Sequence, residues 1–225
     1  MIAAAAGLAA ALSVSPAHIR LTGSASHTIT ITNAGNASAT VDVRPAGFVL
    51  DRRGKPMIAR ERHPAAGWLR RQPPRVMVAP GGTAAVTVSS AAPAGARPGD
   101  HAALVLLTTQ PPRGAGVTIR MRIGVVVFVR VAGRIVHHLE LGVLRARRQV
   151  LELVVANRGN VVEYARVRIA LLRGGHVLAR FGSVGRTLLP HSRGIERFRR
   201  PARVRGWVTA RVEVGVNRRT CRLRL

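Results

Sequence analysis

Apolar and polar residues alternate along most of this chain with a period of two, the pattern of strands that bury one face. Thr28–Asn36 shows it most plainly. Ile29 and Ile31 alternate with Thr28, Thr30 and Thr32, and Asn33, Gly35 and Asn36 then supply turn chemistry. Ala39–Arg44 resumes the alternation, with Ala39, Val41 and Val43 on one face. The unit reads strand, tight turn, strand, and it returns at Leu151–Asn160. A single offset of 124 residues carries Asn33, Gly35 and Asn36 onto Asn157, Gly159 and Asn160. The same offset carries Ile29, Ile31, Val41 and Val43 onto Leu153, Val155, Ala165 and Val167. Inward positions repeat along with the turn, so the chain reads as two copies of one small β-domain. Its 225 residues accommodate two domains of about 100 each.

Along the first copy, Leu12–Leu21 alternates and is broken at Pro16, a residue tolerated at a strand edge or switch. Arg60–Pro74 is irregular and basic and reads as a loop crossing between sheets, anchored by Trp68. Asp100–Gln110 is apolar on both faces, as a central strand is. In Val117–Ala132 every odd position is apolar, while the even positions begin Thr118, Arg120, Arg122 and then turn apolar. Sixteen extended residues span roughly 50 Å, more than one sandwich buries. The surplus is either covered by the second domain or left as an exposed edge. Gly133 marks the boundary. The second copy offers strands at Val136–Leu144, Gln149–Asn157, Glu163–Leu172, His176–Phe181, Ile195–Arg199, Gly206–Val216 and Thr220–Leu225. About seven short strands at this spacing make a β-sandwich, and no amphipathic helix stands out. The expected architecture is all-β: an apolar tail over residues 1–12, one sandwich over 13–132 and a second over 133–225.

Met1–Val14 is apolar over the length of a signal-peptide core, too short to span a membrane, and is expected to be the remnant of a longer export signal. No later segment reads as a transmembrane span. The cores must be aliphatic, since aromatic residues make up only 3% of the chain.

Charge changes the picture most. The chain has 36 basic and 9 acidic residues, a net charge of +27, and Lys55 is its only lysine. Both halves share the excess, +11 up to Arg130 and +16 beyond it. Such a balance attracts polyanions: anionic cell-wall polymers, lipid headgroups or nucleic acid. Arginine bias of the genome accounts for arginine replacing lysine but not for the scarcity of acids. The densest cluster is Arg197, Arg199, Arg200, Arg203 and Arg205, interleaved with Phe198 and Trp207. It is the candidate polyanion site, against the plain alternative of a solvated strand face with both aromatics in the core.

Catalytic chemistry finds no footing. The carboxylates are scattered, whereas general acid–base catalysis needs groups held together. His137 and His138 are neighbours on a strand and point to opposite faces, a poor metal pair. Asp100–His101 lacks a serine on a strand–turn–helix elbow. Cys221 is the sole cysteine, so no internal disulfide forms, and its alternation with Arg222 and Arg224 makes it a small apolar residue of a terminal strand. No cofactor, metal or catalytic residue is assigned.

The order SVSPAHIRL, TITITNAGN, Trp68 in a basic proline-flanked segment, RVMVAPGGTAAVTVSS and PGDHAALVLL resembles the N-terminal domain of periplasmic pilus-assembly chaperones, which have two immunoglobulin-like domains. It is also similar to the bacterial surface proteins that pair with WxL-domain proteins. The likeness covers roughly Leu12–Val131, with a weaker echo beyond. It implies tandem immunoglobulin-like sandwiches in an exported, non-enzymatic protein of the periplasm or cell surface that binds an envelope protein by strand pairing. Val125, Val127 and Val129 would then be the partner-facing set. Pilus chaperones hold a client's terminal carboxylate with an arginine in the first strand and a lysine in the last strand of domain one. Here those positions carry His18 and Gly124, with Arg20 two residues on from the first.

Overall fold

The computed structural model describes residues 11–59, 63–110 and 120–225. They form two compact units. The first comprises the described residues of Met1–Val49, Ile58–Arg97 and His101–Ala132; the second comprises Leu50–Met57, Pro98–Asp100 and Gly133–Leu225.

Eleven short elements run in chain order up to Val131: β1 (Leu12–Ser15), β2 (His18–Thr22), β3 (Ser26–Asn33), β4 (Ala39–Leu50), β5 (Pro56–Ile58, mostly in the second unit), α1 (Pro64–Trp68), β6 (Leu69–Gln72), β7 (Arg75–Val78), β8 (Thr83–Ser90), β9 (Gly99–Gln110) and β10 (Arg122–Val131). One sheet runs β1-β3-β8-β6, the other β2-β10-β9-β4-β5 with β7 also paired to β4. The first strand is thus divided. β1 pairs antiparallel with β3 in one sheet, and after Pro16 the chain crosses so that β2 pairs parallel with β10 in the other. Ile29, Ile31, Val86 and Val88 from one sheet meet Val41, Val43, Val105 and Val127 from the other, all fully buried in one cluster. Burying a side chain of this size contributes about 1.5–3 kcal/mol, which is how a cluster without phenylalanine suffices.

The second unit contains β11 (Leu139–Ala146), β12 (Val150–Asn157), β13 (Glu163–Ala165), β14 (Val167–Arg173), β15 (His176–Gly182), β16 (Arg186–Leu188), β17 (Arg193–Arg199), β18 (Trp207–Val214) and β19 (Asn217–Arg224). Its sheets run β11-β12-β17 and β15-β14-β18-β19, with β13 and β16 as a separate pair. Leu151, Leu153 and Val155 pack against Val167, Ile169, Leu171, Val212 and Val214.

Four apolar pairs related by the 124-residue offset are fully buried, each residue in its own unit: Ile29 and Leu153, Ile31 and Val155, Val41 and Ala165, Val43 and Val167. The turn between them joins two sheets, because β3 and β4 lie in different layers.

Several expectations are corrected. Arg60–Pro74 is not all loop: α1 makes one turn, started by Pro64, and β6 pairs with β8 from Leu69↔Ser90 to Gln72↔Thr87. Trp68 is half-buried with its ring 4.7 Å from that of His101. Leu12 is no part of a loose tail, since it pairs with Asn33 and packs on the core. Residues 1–10 of the expected export signal lie outside the described residues, as does 111–119 of the long alternating segment. Cys221 sits half-buried against the second core, where burial pushes its thiol pKa up.

Candidate partner-binding edge

The site is built from β10 and its two flanks. β9 lies on one side of β10 and β2 on the other. The parallel register with β2 runs from Val126↔His18 to Arg130↔Thr22. The Val126 amide donates to the Ala17 carbonyl at 3.0 Å, the end of that ladder. Before it the chain belongs to the other sheet, because β1 is paired with β3.

Strand alternation fixes where the main-chain groups of Arg122–Val125 point. Odd residues face β9: the Thr109 amide donates to the Met121 carbonyl at 3.0 Å, and the Met121 amide donates to Thr109 Oγ1 at 2.8 Å. Even residues face the β2 side, as Val126 does. Among the described residues no strand pairs with Arg122 and Gly124 there, and both are exposed. Among the described residues this stretch is an open sheet edge, a template for another strand.

Val125, Val127 and Val129 are not at that edge. They are 0%, 0% and 1% exposed and belong to the core of the first unit. The physical reason is the divided first strand, which covers β10 from Val126 onward and leaves those side chains to fill the sandwich. Met121 and Ile123 continue the same inward face and are only half-buried, where β2 no longer reaches. The pattern extends in sequence through Val117 and Ile119, outside the described residues.

The opposite face of β10 carries Arg120, Arg122 and Gly124. A Cβ on Gly124 would meet Leu104 Cδ2 at 3.4 Å and Leu106 Cδ2 at 3.7 Å, so this face lies over β9. A groove of about 550 Å³ runs across it, lined among others by Asp42, Arg44, Ile58, Leu106, Arg120 and Arg122. Its one carboxylate is engaged: Arg75 Nε donates to Asp42 at 2.6 Å and Gln110 Nε2 at 2.8 Å. Those two partners, Arg75 first, hold the Asp42 carboxyl below its ordinary pKa. Arg120 and Arg122 form no ion pair among the described residues. Sequence reasoning saw these arginines as the polar half of an alternation. It did not see that Arg44 joins them, because β4 is far off in sequence.

His18 and Gly124, which the resemblance aligns with the cationic anchors of pilus chaperones, are not paired with one another; His18 lies opposite Val126, and Arg20 opposite Phe128.

The arginine cluster of the second unit is only partly brought together. Arg197 and Arg199 project from one face of β17, and Arg197 Nε donates to Glu152 at 2.8 Å. Arg203 and Arg205 are exposed in the following loop, and Arg200 is half-buried at its start. Phe198 is in the core against Phe181. Trp207 is not: it is 57% exposed, with the Arg222 guanidinium 5.5 Å from its ring centroid.

Among the described residues no group of three or more His, Cys, Asp or Glu side chains could hold a metal. His137 Nδ1 meets Glu163 Oε1 at 2.7 Å, and the Val162 amide donates to Asp100 at 2.9 Å. No described helix is long and apolar enough to cross a membrane.

No protein-family model and no curated relative matches the sequence. Solved structures match over nearly the whole chain. The class 5 fimbriae chaperone CfaA superposes with a TM-score of 0.57 at 10% identity, over 94% of this chain and 98% of its own. A chain of the chaperone–tip adhesin complex of CFA/I fimbriae biogenesis gives 0.58 at 8%, over 94% and 98%. The E. coli chaperone DraB gives 0.52 at 14%, over 96% and 99%. The protein therefore has the two-domain immunoglobulin-like fold of fimbrial chaperones.

Proposed function

We propose that this protein is a non-enzymatic, chaperone-like binding module of the bacterial envelope, periplasmic or extracellular, that captures a strand of an envelope or surface protein. The observation that carries this is the open edge of β10 at Arg122 and Gly124, beside a half-buried apolar pair, Met121 and Ile123. Main-chain bonds at such an edge give affinity, and alternate side chains give specificity. The fold is consistent with it: one of the similar structures comes from a chaperone–tip adhesin complex. The edge takes over the role first expected of Val125, Val127 and Val129. Amide exchange tests it. Saturating the full chain with an envelope protein that it binds should slow exchange at Arg122 and Gly124. Binding that leaves both amides unprotected would refute the reading.

A second reading is favoured by the second unit. Arg199, Arg200, Arg203 and Arg205 have no ion pair among the described residues, so the cluster can bind an anionic cell-wall polymer through counterion release. Nucleic acid is the less favoured polyanion, since Phe198 is buried and the Trp207 ring already has the Arg222 guanidinium beside it.

A further inference from the structure

The open edge presents two faces to whatever pairs with it, and they differ in chemistry. A residue directly opposite another across a ladder lies on the same face of the sheet. Residues opposite Met121 and Ile123 therefore extend the apolar face of Val125, Val127 and Val129. Residues opposite Arg120 and Arg122 lie on the face of the groove, beside guanidinium groups.

That face is cationic and unneutralised. Arg120 and Arg122 are exposed, and Arg44 lines the same groove. The single carboxylate there, Asp42, is already held by Arg75 and Gln110. A lysine or arginine on an incoming strand would sit opposite a like charge, which is destabilising, whereas a carboxylate would complete an opposite-charge cross-strand pair. The +27 chain also steers acidic partners toward it.

We infer that the strand captured at the β10 edge is acidic at every second residue, with Asp or Glu opposite Arg120 and Arg122 and apolar residues between them. This rests on the strand-pairing reading above and specifies its partner. Arg120 and Arg122 act as specificity determinants, while the main chain of Arg122 and Gly124 does the pairing.

The test uses the full chain and three short peptides of equal length: valine alternating with glutamate, valine alternating with lysine, and the same valines and glutamates in two blocks. Affinity is read by fluorescence anisotropy and pairing by amide exchange at Arg122 and Gly124. The alternating glutamate peptide should bind roughly tenfold more tightly than the lysine peptide and protect both amides. The ratio should shrink at high salt, where exposed charges are screened, a measurement that needs no variant. The double variant Arg120→Glu, Arg122→Glu should reverse the preference. Equal affinity of glutamate and lysine peptides, with both amides protected, would overturn the acidic inference and leave strand pairing intact. Binding of the block peptide as tight as the alternating one, or no protection by any peptide, would overturn strand pairing and this inference with it.

Discussion

Asn33 and Asn157 make the same buried clasp in the two units. Each is fully buried. The Asn33 side-chain amide donates to the Ala37 and Val78 carbonyls at 2.8 and 3.1 Å, and its carbonyl accepts the Gly35 amide at 3.0 Å. Asn157 donates to the Val161 and Leu188 carbonyls at 2.7 and 3.1 Å and accepts the Gly159 amide at 2.9 Å. Local partners correspond at the same 124-residue offset. The third contact ties the turn to a distant strand end, so one side chain closes the passage between sheets.

Replacing Asn33 or Asn157 by alanine should therefore cost about 1–3 kcal/mol, because buried carbonyls lose their donor. The aspartate variants should be worse, since a carboxylate would face carbonyl oxygens in a buried site. Denaturant unfolding of the four single variants checks this. Aspartate variants as stable as the wild type would show that the clasp carries no weight.

Val127→Arg should unfold the first unit. An unpaired charge placed at a fully buried position costs several kcal/mol. Arg122→Pro should leave the fold intact, since proline is tolerated on an edge whose N–H is unpaired. Circular dichroism and proteolysis distinguish them, and a folded Val127→Arg protein would contradict the observed packing.

Stability of the first unit should fall as pH drops through about 6.5. His63 Nδ1 is buried without a hydrogen-bond partner among the described residues. Burial, then the nearby His101, holds its pKa below the ordinary 6.5. The unfolded state thus binds the proton more readily, so stability rises with pH across that window and is lost below it. Denaturant midpoints measured from about pH 5 to pH 8 should slope less in His63→Gln. Identical slopes would remove His63 from the account.

Neutralising Arg199, Arg200, Arg203 and Arg205 to glutamine should weaken retention on an anionic polymer and flatten its salt dependence. The same change at Arg197 should do less, because Glu152 already partners it. Chromatography on a polyanionic resin at several salt concentrations measures both. Equal losses per charge removed would mean that net charge alone governs retention.

Alternation in the sequence told which side chains share a face, and Ile29, Ile31, Leu153 and Val155 are all inward as it implies. It could not tell which neighbour covers a strand. Val125, Val127 and Val129 look identical in pattern to Met121 and Ile123; only the crossing of the first strand near Pro16 separates core from edge, and that is a long-range fact. Trp207 was legible. Val208, Ala210, Val212 and Val214 face inward, which turns Trp207 outward, yet its size argued for the core. Arg186–Leu188 and Pro64–Trp68 are too short to register any period.

The divided first strand also acts as a ruler. The length of open edge on β10 is set by the residue at which the N-terminal segment leaves one sheet for the other, here between Ser15 and His18. Shifting that crossover by a pair of residues would lengthen or shorten the open strip without altering one side chain on it. In the proposed strand capture, reach and selectivity would thus be encoded in separate parts of the chain, roughly a hundred residues apart, so that each could change while the other is kept.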